Sequence, residues 1–181
     1  WSCLFINGRC NGRCFFCPTD QSETGEPTTQ TLRFSRPADY VAYLERFGFT
    51  GASISGGEPF LTFDKTLRFA AAVKRHFGDR LHLWIYTNGL ALTAEGLKRL
   101  ADAGLDEIRF NIAAADYGLQ KVALATSVIE TVTVEIPAIP EDEARLTDLV
   151  ASLRGVGVRH LNLHQLRCTP HNLPQLLKRR Y

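Results

Sequence analysis

Short apolar runs alternate with amphipathic stretches along most of this chain. Alternating apolar and polar residues predict six β-strands, and apolar positions at helical spacing predict helices between them. From the second predicted strand onward, the strands recur every 24 to 30 residues, which is about the length of a parallel βα unit. The pattern therefore predicts a parallel sheet with helical connections. The predicted strands are Ser2–Asn7, Gly51–Ser55, Leu81–Tyr86, Glu107–Ile112, Thr131–Ile136 and His160–Gln165.

Each predicted strand has one apolar face and one polar face. In the fourth strand, Ile108, Phe110 and Ile112 alternate with Arg109 and Asn111. A sheet covered by helices on both faces would be almost continuously apolar, and a closed eight-stranded barrel would fill its interior with branched apolar residues. We therefore expect an α/β fold, a partial (β/α)6 TIM-like barrel of parallel strands with outer helices and a polar cavity. An ordinary solvent-exposed sheet face is the alternative.

Several residues mark where the predicted helices begin and end. Asp64 and Thr93 stand at positions typical of helix N-caps, and Gly104 and Gly155 stand where helices should stop. The polar segment Pro18–Ser35 is predicted to be an irregular, mobile loop.

Composition indicates one domain. The chain has 181 residues, of which 45% are hydrophobic, and a formal net charge of +2. Apolar segments are too short for a membrane helix, and the dispersed basic residues carry no nucleic-acid signal. The chain begins at Trp1 and contains no Met. We therefore expect residues 1–181 to be a single core domain taken from a longer chain.

Three cysteines follow the first strand in the spacing Cys10-x-x-x-Cys14-x-x-Cys17. Iron–sulfur clusters normally have four cysteine ligands, so a triad would leave one iron open to another ligand. A structural zinc site would need four ligands, and Cys3 and Cys168 do not form a second pair. The odd total of five cysteines disfavours a disulfide framework. Unpaired thiols favour a reducing cytoplasm.

Two further motifs follow predicted strands, where the active sites of (β/α) barrels lie. They are Gly56-Gly57-Glu58-Pro59 and Thr87-Asn88-Gly89. Each motif alone would indicate only a turn. Together with the cysteine triad and Phe16, which precedes its third cysteine, they resemble the radical S-adenosylmethionine (SAM) superfamily. The resemblance extends over essentially the whole chain.

The resemblance implies that the three cysteines hold a 4Fe–4S cluster and that SAM chelates the fourth iron. The backbone at Gly56 and Gly57 would receive the amino group of SAM, and Glu58 would complement its charge. A β-branched residue at Gly57 should then weaken SAM binding and leave the cluster intact. Phe16 and the segment from Ile136 would lie against adenine. The other implied SAM contacts are Pro59, Thr87, Asn88 and Asn111.

The implied reaction is reductive cleavage of SAM to a 5′-deoxyadenosyl radical that abstracts hydrogen from a substrate. No catalytic side chain is assigned, because the cofactor generates the radical. Glu135 and His164 are candidate substrate residues, although a buried histidine is commonly structural. The substrate could be a small molecule, peptide or protein, and a reductase or a flavodoxin- or ferredoxin-type protein would donate electrons. The other polar residues expected in the lumen are Ser55, Tyr86, Arg109, Thr133 and Asn162.

Two alternatives remain open. A non-enzymatic iron–sulfur module for electron transfer or assembly would need a fourth ligand and no SAM site. A barrel that has lost catalysis would keep the fold alone. Cys168 could also contribute to an auxiliary cluster completed by a further domain.

Overall fold

The computed structural model describes residues 1–21 and 25–181 of the chain, which form eight strands and six α-helices. The strands are β1 (Ser2–Asn7), β2 (Thr28–Thr29), β3 (Leu32–Arg33), β4 (Gly51–Gly56), β5 (His82–Thr87), β6 (Glu107–Phe110), β7 (Thr131–Pro137) and β8 (His160–His164). The helices are α1 (Pro37–Arg46), α2 (Phe63–Phe77), α3 (Ala94–Asp102), α4 (Gln120–Thr126), α5 (Glu143–Gly155) and α6 (Leu173–Lys178).

The six longer strands form one parallel sheet in the order β1-β4-β5-β6-β7-β8, which is their order along the chain. Parallel connections are almost always right-handed, so strands that follow one another without reversal place their helices on one face. The helices α1 to α4 contact one another in sequence order along that face. The predicted α/β fold with outer helices is therefore confirmed.

The hydrophobic core lies between the sheet and these helices. Ile54, Ile85, Ile108 and Val134 point outward from four neighbouring strands and are fully buried against the helical layer. Because side chains alternate along a strand, the polar residues between them face the opposite side of the sheet. That inner face carries the site.

The segment Pro18–Ser35 is more ordered than predicted, although its residues 22–24 lie outside the described ranges. Strands β2 and β3 form a short antiparallel hairpin, and Thr28 of β2 pairs with Phe5 of β1. The Thr29 hydroxyl also donates to the carbonyl of Cys3 at 2.9 Å. The hairpin therefore pairs the edge of β1 that would otherwise be exposed.

Helix ends were predicted with mixed success. Thr93 caps α3 by accepting a hydrogen bond from the Gly96 amide at 3.0 Å, and Gly104 follows that helix with φ +87°. The prediction that Asp64 is an N-cap was wrong. Thr62 is the N-cap residue of α2, and Asp64 lies in the first turn of that helix. Gly155 is still helical, and Gly157 beyond α5 has the left-handed conformation instead.

One predicted strand end was also wrong. Ile112 lies in a 3₁₀ turn beyond β6 rather than in the strand.

None of the helices in the described ranges is both long and apolar enough to span a bilayer.

Candidate active site

A cavity of about 490 Å³ opens at the C-terminal ends of the parallel strands. Loops after parallel strands meet at this edge, which is why distant parts of the sequence converge here. The cavity is lined by the implied SAM contact Asn111 and by the candidate substrate residues Glu135 and His164. The other predicted site residues on its wall are Cys10, Cys14, Phe16, Cys17, Gly56, Gly57, Glu58, Thr87 and Asn88.

Two residues predicted to contact SAM do not line this cavity. The side chain of Ile136 is fully buried in the core on the outer face of the sheet, so a contact of this residue with adenine would have to be made by its backbone. Strand alternation places the next residue, Pro137, on the cavity wall. Pro59 is buried at the start of a 3₁₀ turn, where its carbonyl accepts a hydrogen bond from Thr66 at 2.8 Å.

The three cysteines lie on one irregular loop, which we call the cysteine loop (residues 8–18). The Cys17 amide donates to the Cys14 carbonyl at 3.1 Å. A Cβ atom added to Gly12 would lie 3.5 Å from the Cys10 sulfur and 3.6 Å from the Cys14 sulfur. These two thiols therefore flank Gly12 on the same side of the loop.

Nitrogen atoms that can donate hydrogen bonds lie near the sulfur atoms of Cys10 and Cys17. The Gly12 amide lies 3.3 Å and the Asn88 Nδ2 atom 3.5 Å from the Cys10 sulfur. The Gln21 Nε2 atom lies 3.5 Å from the Cys17 sulfur. Hydrogen bonds to ligating sulfurs are one way in which proteins tune the potential of an iron–sulfur cluster.

Without a metal, burial disfavours the thiolate forms. Burial raises the pKa of Cys14 to about 11, and negative charge on Cys10 and Cys17 acts in the same direction. Burial also raises the pKa of Cys10. Since a metal ligates the thiolate, metal binding by this loop would release protons.

The donor set fits a cluster better than a single metal ion. A zinc ion would hold its sulfur ligands about 2.3 Å from one point. Within the described ranges, no three His, Cys, Asp or Glu side chains converge on such a point. Cys3 and Cys168 do not line the cavity. Three separated thiols facing a shared cavity are compatible with three corners of a cubane.

The glycines after β4 are required by the neighbouring loop. A Cβ on Gly57 would collide with the carbonyl oxygen of Arg9, and one on Gly56 would collide with that of Asn7. The Gly57 amide donates to Asn7 at 2.8 Å, and the Glu58 amide donates to Arg9 at 2.6 Å. The first consequence of losing Gly57 is therefore displacement of the cysteine loop, whereas the resemblance implied weaker SAM binding with an intact cluster.

Glu58 joins the loop after β4 to the loop after β5. Its side chain is buried, and its carboxylate accepts hydrogen bonds from the Phe60 amide (3.1 Å), the Thr87 hydroxyl (2.8 Å) and the Asn88 amide (2.7 Å). Burial raises the pKa of Glu58, and these three hydrogen bonds partly offset that effect. This bridging role was not predicted from the sequence.

One residue of the cavity wall, Asn111, has a side-chain oxygen without a hydrogen-bond donor in the described part of the chain. The Asn111 Oδ1 atom is buried and has no hydrogen-bond partner among the described residues. Buried polar atoms are rarely left unpaired, so a ligand donor at this position would satisfy it. SAM carries hydroxyl and ammonium donors, and the cavity volume falls within the range of small-molecule sites. The residues present therefore fit SAM.

The polar residues below the cavity form a connected network. Arg109 donates to Glu107 at 2.7 Å, Glu135 at 3.1 Å and the Tyr86 hydroxyl at 3.3 Å. Its guanidinium also lies 4.6 Å from the ring centroid of Trp84. Tyr86 and Glu135 are thus held at fixed positions on the cavity floor.

Other predicted lumen residues lie deeper or at the rim. Thr133 is buried and donates to Glu107 at 2.6 Å, below the cavity. His164 is exposed at the rim, where its Nδ1 atom lies 3.1 Å from the Gln165 carbonyl. Sequence reasoning missed Leu166, Arg167 and Thr169, which also line the cavity. Only their position after the last strand could have indicated them.

Comparison with known proteins identifies the family. The model of the radical SAM superfamily matches residues 4–132. The chain is 30% identical over 188 residues to a candidate glycyl-radical enzyme activating enzyme of Methanocaldococcus jannaschii, covering 97% of this chain and 50% of that protein. It is 29% identical over 163 residues to a GTP 3′,8-cyclase of Campylobacter jejuni, covering 90% of this chain and 48% of that protein.

The fold is similar to that of Streptococcus suis SuiB, solved with S-adenosylmethionine bound. The TM-score is 0.70 at 14% identity, covering 92% of this chain and 40% of that one. The chain spans about half the length of the curated relatives it matches. Because the family model covers more than half of the chain, the chain belongs to the radical SAM superfamily, whose enzymes use a 4Fe–4S cluster and SAM.

Proposed function

We propose that this chain generates a 5′-deoxyadenosyl radical from SAM and directs it to a substrate held in the same cavity. The observation that carries the proposal is the shared cavity wall. It contains the three thiols, the loop with Gly56 and Gly57, the unpaired amide oxygen of Asn111 and the polar floor at Glu135.

In this proposal Cys10, Cys14 and Cys17 ligate the cluster. The reduced cluster that these residues would hold would supply one electron for cleavage of SAM at its sulfonium, giving methionine and the 5′-deoxyadenosyl radical. The protein's contribution is to bind, orient and exclude water. Asn111 would accept a hydrogen bond from SAM, and the buried ring of Phe16 would form an apolar wall for adenine.

Two bridges would hold the loops that bind the cofactors. The Asn88 side chain donates to Asn11 in the cysteine loop at 2.8 Å. Glu58 accepts from Thr87 and Asn88, so the loops after β1, β4 and β5 are tied together. Contact of Gly56, Gly57, Glu58, Thr87 and Asn88 with SAM is part of the proposal.

The substrate would lie over Glu135 and His164. One oxygen of Glu135, Oε2, accepts from Arg109 and from Asn162 at 3.2 Å, which leaves Oε1 to face a substrate. The names of the two relatives imply different substrates, a glycyl-radical enzyme and GTP. The proposal therefore stops at radical generation.

A reductase or a flavodoxin- or ferredoxin-type protein would supply the electron. A cluster on unpaired thiols suits a reducing compartment such as the cytoplasm.

The test is anaerobic reconstitution of the protein with iron and sulfide. We expect about four irons per chain, a reduced-state electron paramagnetic resonance spectrum that shifts when SAM is added, and release of 5′-deoxyadenosine. Changing Cys10, Cys14 or Cys17 to Ala should abolish cluster loading, because two thiols cannot hold the cubane. Cys3→Ala and Cys168→Ala are the matched controls and should load normally.

A stable cluster that does not respond to SAM would contradict the proposal. That result would indicate a fourth protein ligand and favour the electron-transfer or assembly module. A colourless protein with tightly bound zinc would exclude both functions.

A further inference from the structure

The chain beyond β8 turns back over the cysteine loop instead of covering the outer face of its own strand. Leu163, on the outer face of β8, is left 52% exposed. Leu166, Arg167 and Thr169 instead form part of the cavity wall. This C-terminal segment (residues 165–181) therefore belongs to the site.

Asn172 is the centre of the contact between the C-terminal segment and the cysteine loop. Its side chain is only 2% exposed. The Nδ2 group donates to the Phe16 carbonyl at 3.1 Å and to the Arg167 carbonyl at 2.8 Å. The Oδ1 atom accepts from the Thr169 amide at 2.8 Å. One buried amide thus fixes the turn that carries Arg167 and the loop that carries Phe16.

A second hydrogen bond reaches the cysteine loop from the same turn. The Thr169 hydroxyl donates to the Pro18 carbonyl at 2.9 Å. The carbonyls on both sides of Cys17, those of Phe16 and Pro18, are therefore held by the C-terminal segment. Each bond joins residues more than 150 positions apart in the chain.

The end of α6 adds an aromatic contact. The Arg179 guanidinium lies 3.9 Å from the ring centroid of Phe15, and the Tyr181 ring stacks on Phe15 at 6.4 Å. Phe15 is therefore covered from outside while Phe16 faces the cavity.

We infer that Asn172 is a positioning residue for the cysteine loop: with Thr169, it sets the place of Cys17 and of the Phe16 ring. The consequence for the cluster and SAM rests on the proposed function, whereas the contacts do not. A buried donor that serves two carbonyls is worth more than either bond alone, because its loss leaves both acceptors unpaired.

The first measurement uses the metal-free protein and needs no catalysis. Asn172→Leu keeps the side-chain volume and removes the donor. We expect hydrogen exchange of the Cys17 amide, which bonds to Cys14, to become about tenfold faster through local opening. Tyr40→Phe is the control, since it removes another buried hydrogen bond, from Tyr40 to Ser2 at 3.2 Å, far from this loop.

The second measurement uses the reconstituted protein. SAM affinity should fall about tenfold in Asn172→Leu and less in Thr169→Val. The second variant loses the hydroxyl contacts with Pro18 and Asn172 but keeps the Asn172 bonds to the Phe16 and Arg167 carbonyls. If Asn172→Leu does not fold, Thr169→Val tests the inference instead, because hydrogen exchange of its cysteine loop should still be faster than in the wild type.

Wild-type exchange rates in both variants would overturn the inference. So would equal acceleration of loop exchange in Tyr40→Phe, because the effect would then be global. Faster exchange in a protein that never cleaves SAM would keep the inference and count against the proposed function only.

Discussion

Single buried polar side chains hold this site together by bonding two loops at once. Glu58 joins the loops after β4 and β5, Asn88 reaches from the β5 loop to the cysteine loop, and Asn172 reaches it from the C-terminal segment. A buried network that is fully paired is rigid, and a half-paired one is costly. The cysteine loop, which has no regular structure of its own, thereby obtains a defined shape.

Gly57→Ala should reduce both cluster loading and SAM binding. The added methyl group would collide with the Arg9 backbone, so the cysteine loop would have to move away from the loop after β4. Iron content after reconstitution and SAM affinity by calorimetry test this expectation. The earlier expectation of an intact cluster in a Gly57 variant does not agree with this packing.

Gly155→Ala is the matched control for Gly57→Ala. Nothing lies within 4 Å of a Cβ at Gly155, and the residue is helical. Its stability should equal or exceed that of the wild type, and its iron content should be unchanged. Normal iron loading in Gly57→Ala would show that the loop contact is dispensable.

Helix α2 is fastened to the sheet by one largely buried cation. The Lys74 side chain, 7% exposed, donates to both carboxylate oxygens of Asp106 at 2.9 Å. It also donates to the Gly78 carbonyl at 2.9 Å. Asp106 in turn accepts from the Leu83 amide at 2.7 Å, so the pair joins α2, β5 and the start of β6.

Lys74→Met should lower the free energy of unfolding by roughly 2–4 kcal/mol, because it leaves a carboxylate without its cation in a largely buried place. Urea denaturation measures this loss. Lys98→Met, which removes the exposed Lys98–Asp102 pair, is the control, and exposed pairs contribute about 0–1 kcal/mol. Equal losses in the two variants would contradict the assigned role of Lys74.

Across the chain as a whole, the inner face of the sheet carries a hydrogen-bonded polar network around Glu107. Glu107 is buried there and accepts hydrogen bonds from Arg109, Thr133 and His82. Burial would raise the pKa of Glu107, but these hydrogen bonds together hold it below its ordinary value of 4.5. A carboxylate with a lowered folded-state pKa stabilises the fold above the unfolded-state pKa.

The contribution of Glu107 should disappear as the pH falls below about 4.5 and passes through the lowered pKa. Glu107→Gln should therefore be less stable than the wild type at pH 7, and the difference should shrink with falling pH. Unfolding free energies from urea titrations across this range test the expectation, with the exposed Glu95→Gln as control. A difference that does not change with pH would contradict it.

The local pattern was enough to predict most of the fold. Strand alternation at Ile108, Arg109 and Phe110 separated the core face from the polar face correctly, because alternation is a property of the extended backbone itself. The same alternation, with one apolar and one polar face in each strand, correctly predicted that helices cover only one face of the sheet. The hairpin β2–β3 was missed because its two-residue strands are defined by pairing, that of β2 with β1 and that of β3 with β2, and not by their own periodicity.

The motifs likewise indicated which loops line the cavity. Local sequence could not show that the Arg9 backbone leaves no room for a side chain at Gly57. Nor could it show that Glu58 accepts hydrogen bonds from Thr87 and Asn88, or that Asn172 holds the cysteine loop. Each of these contacts joins segments far apart in the chain. Periodicity and spacing record what neighbouring residues do, whereas these roles depend on which backbones the folded sheet brings into contact.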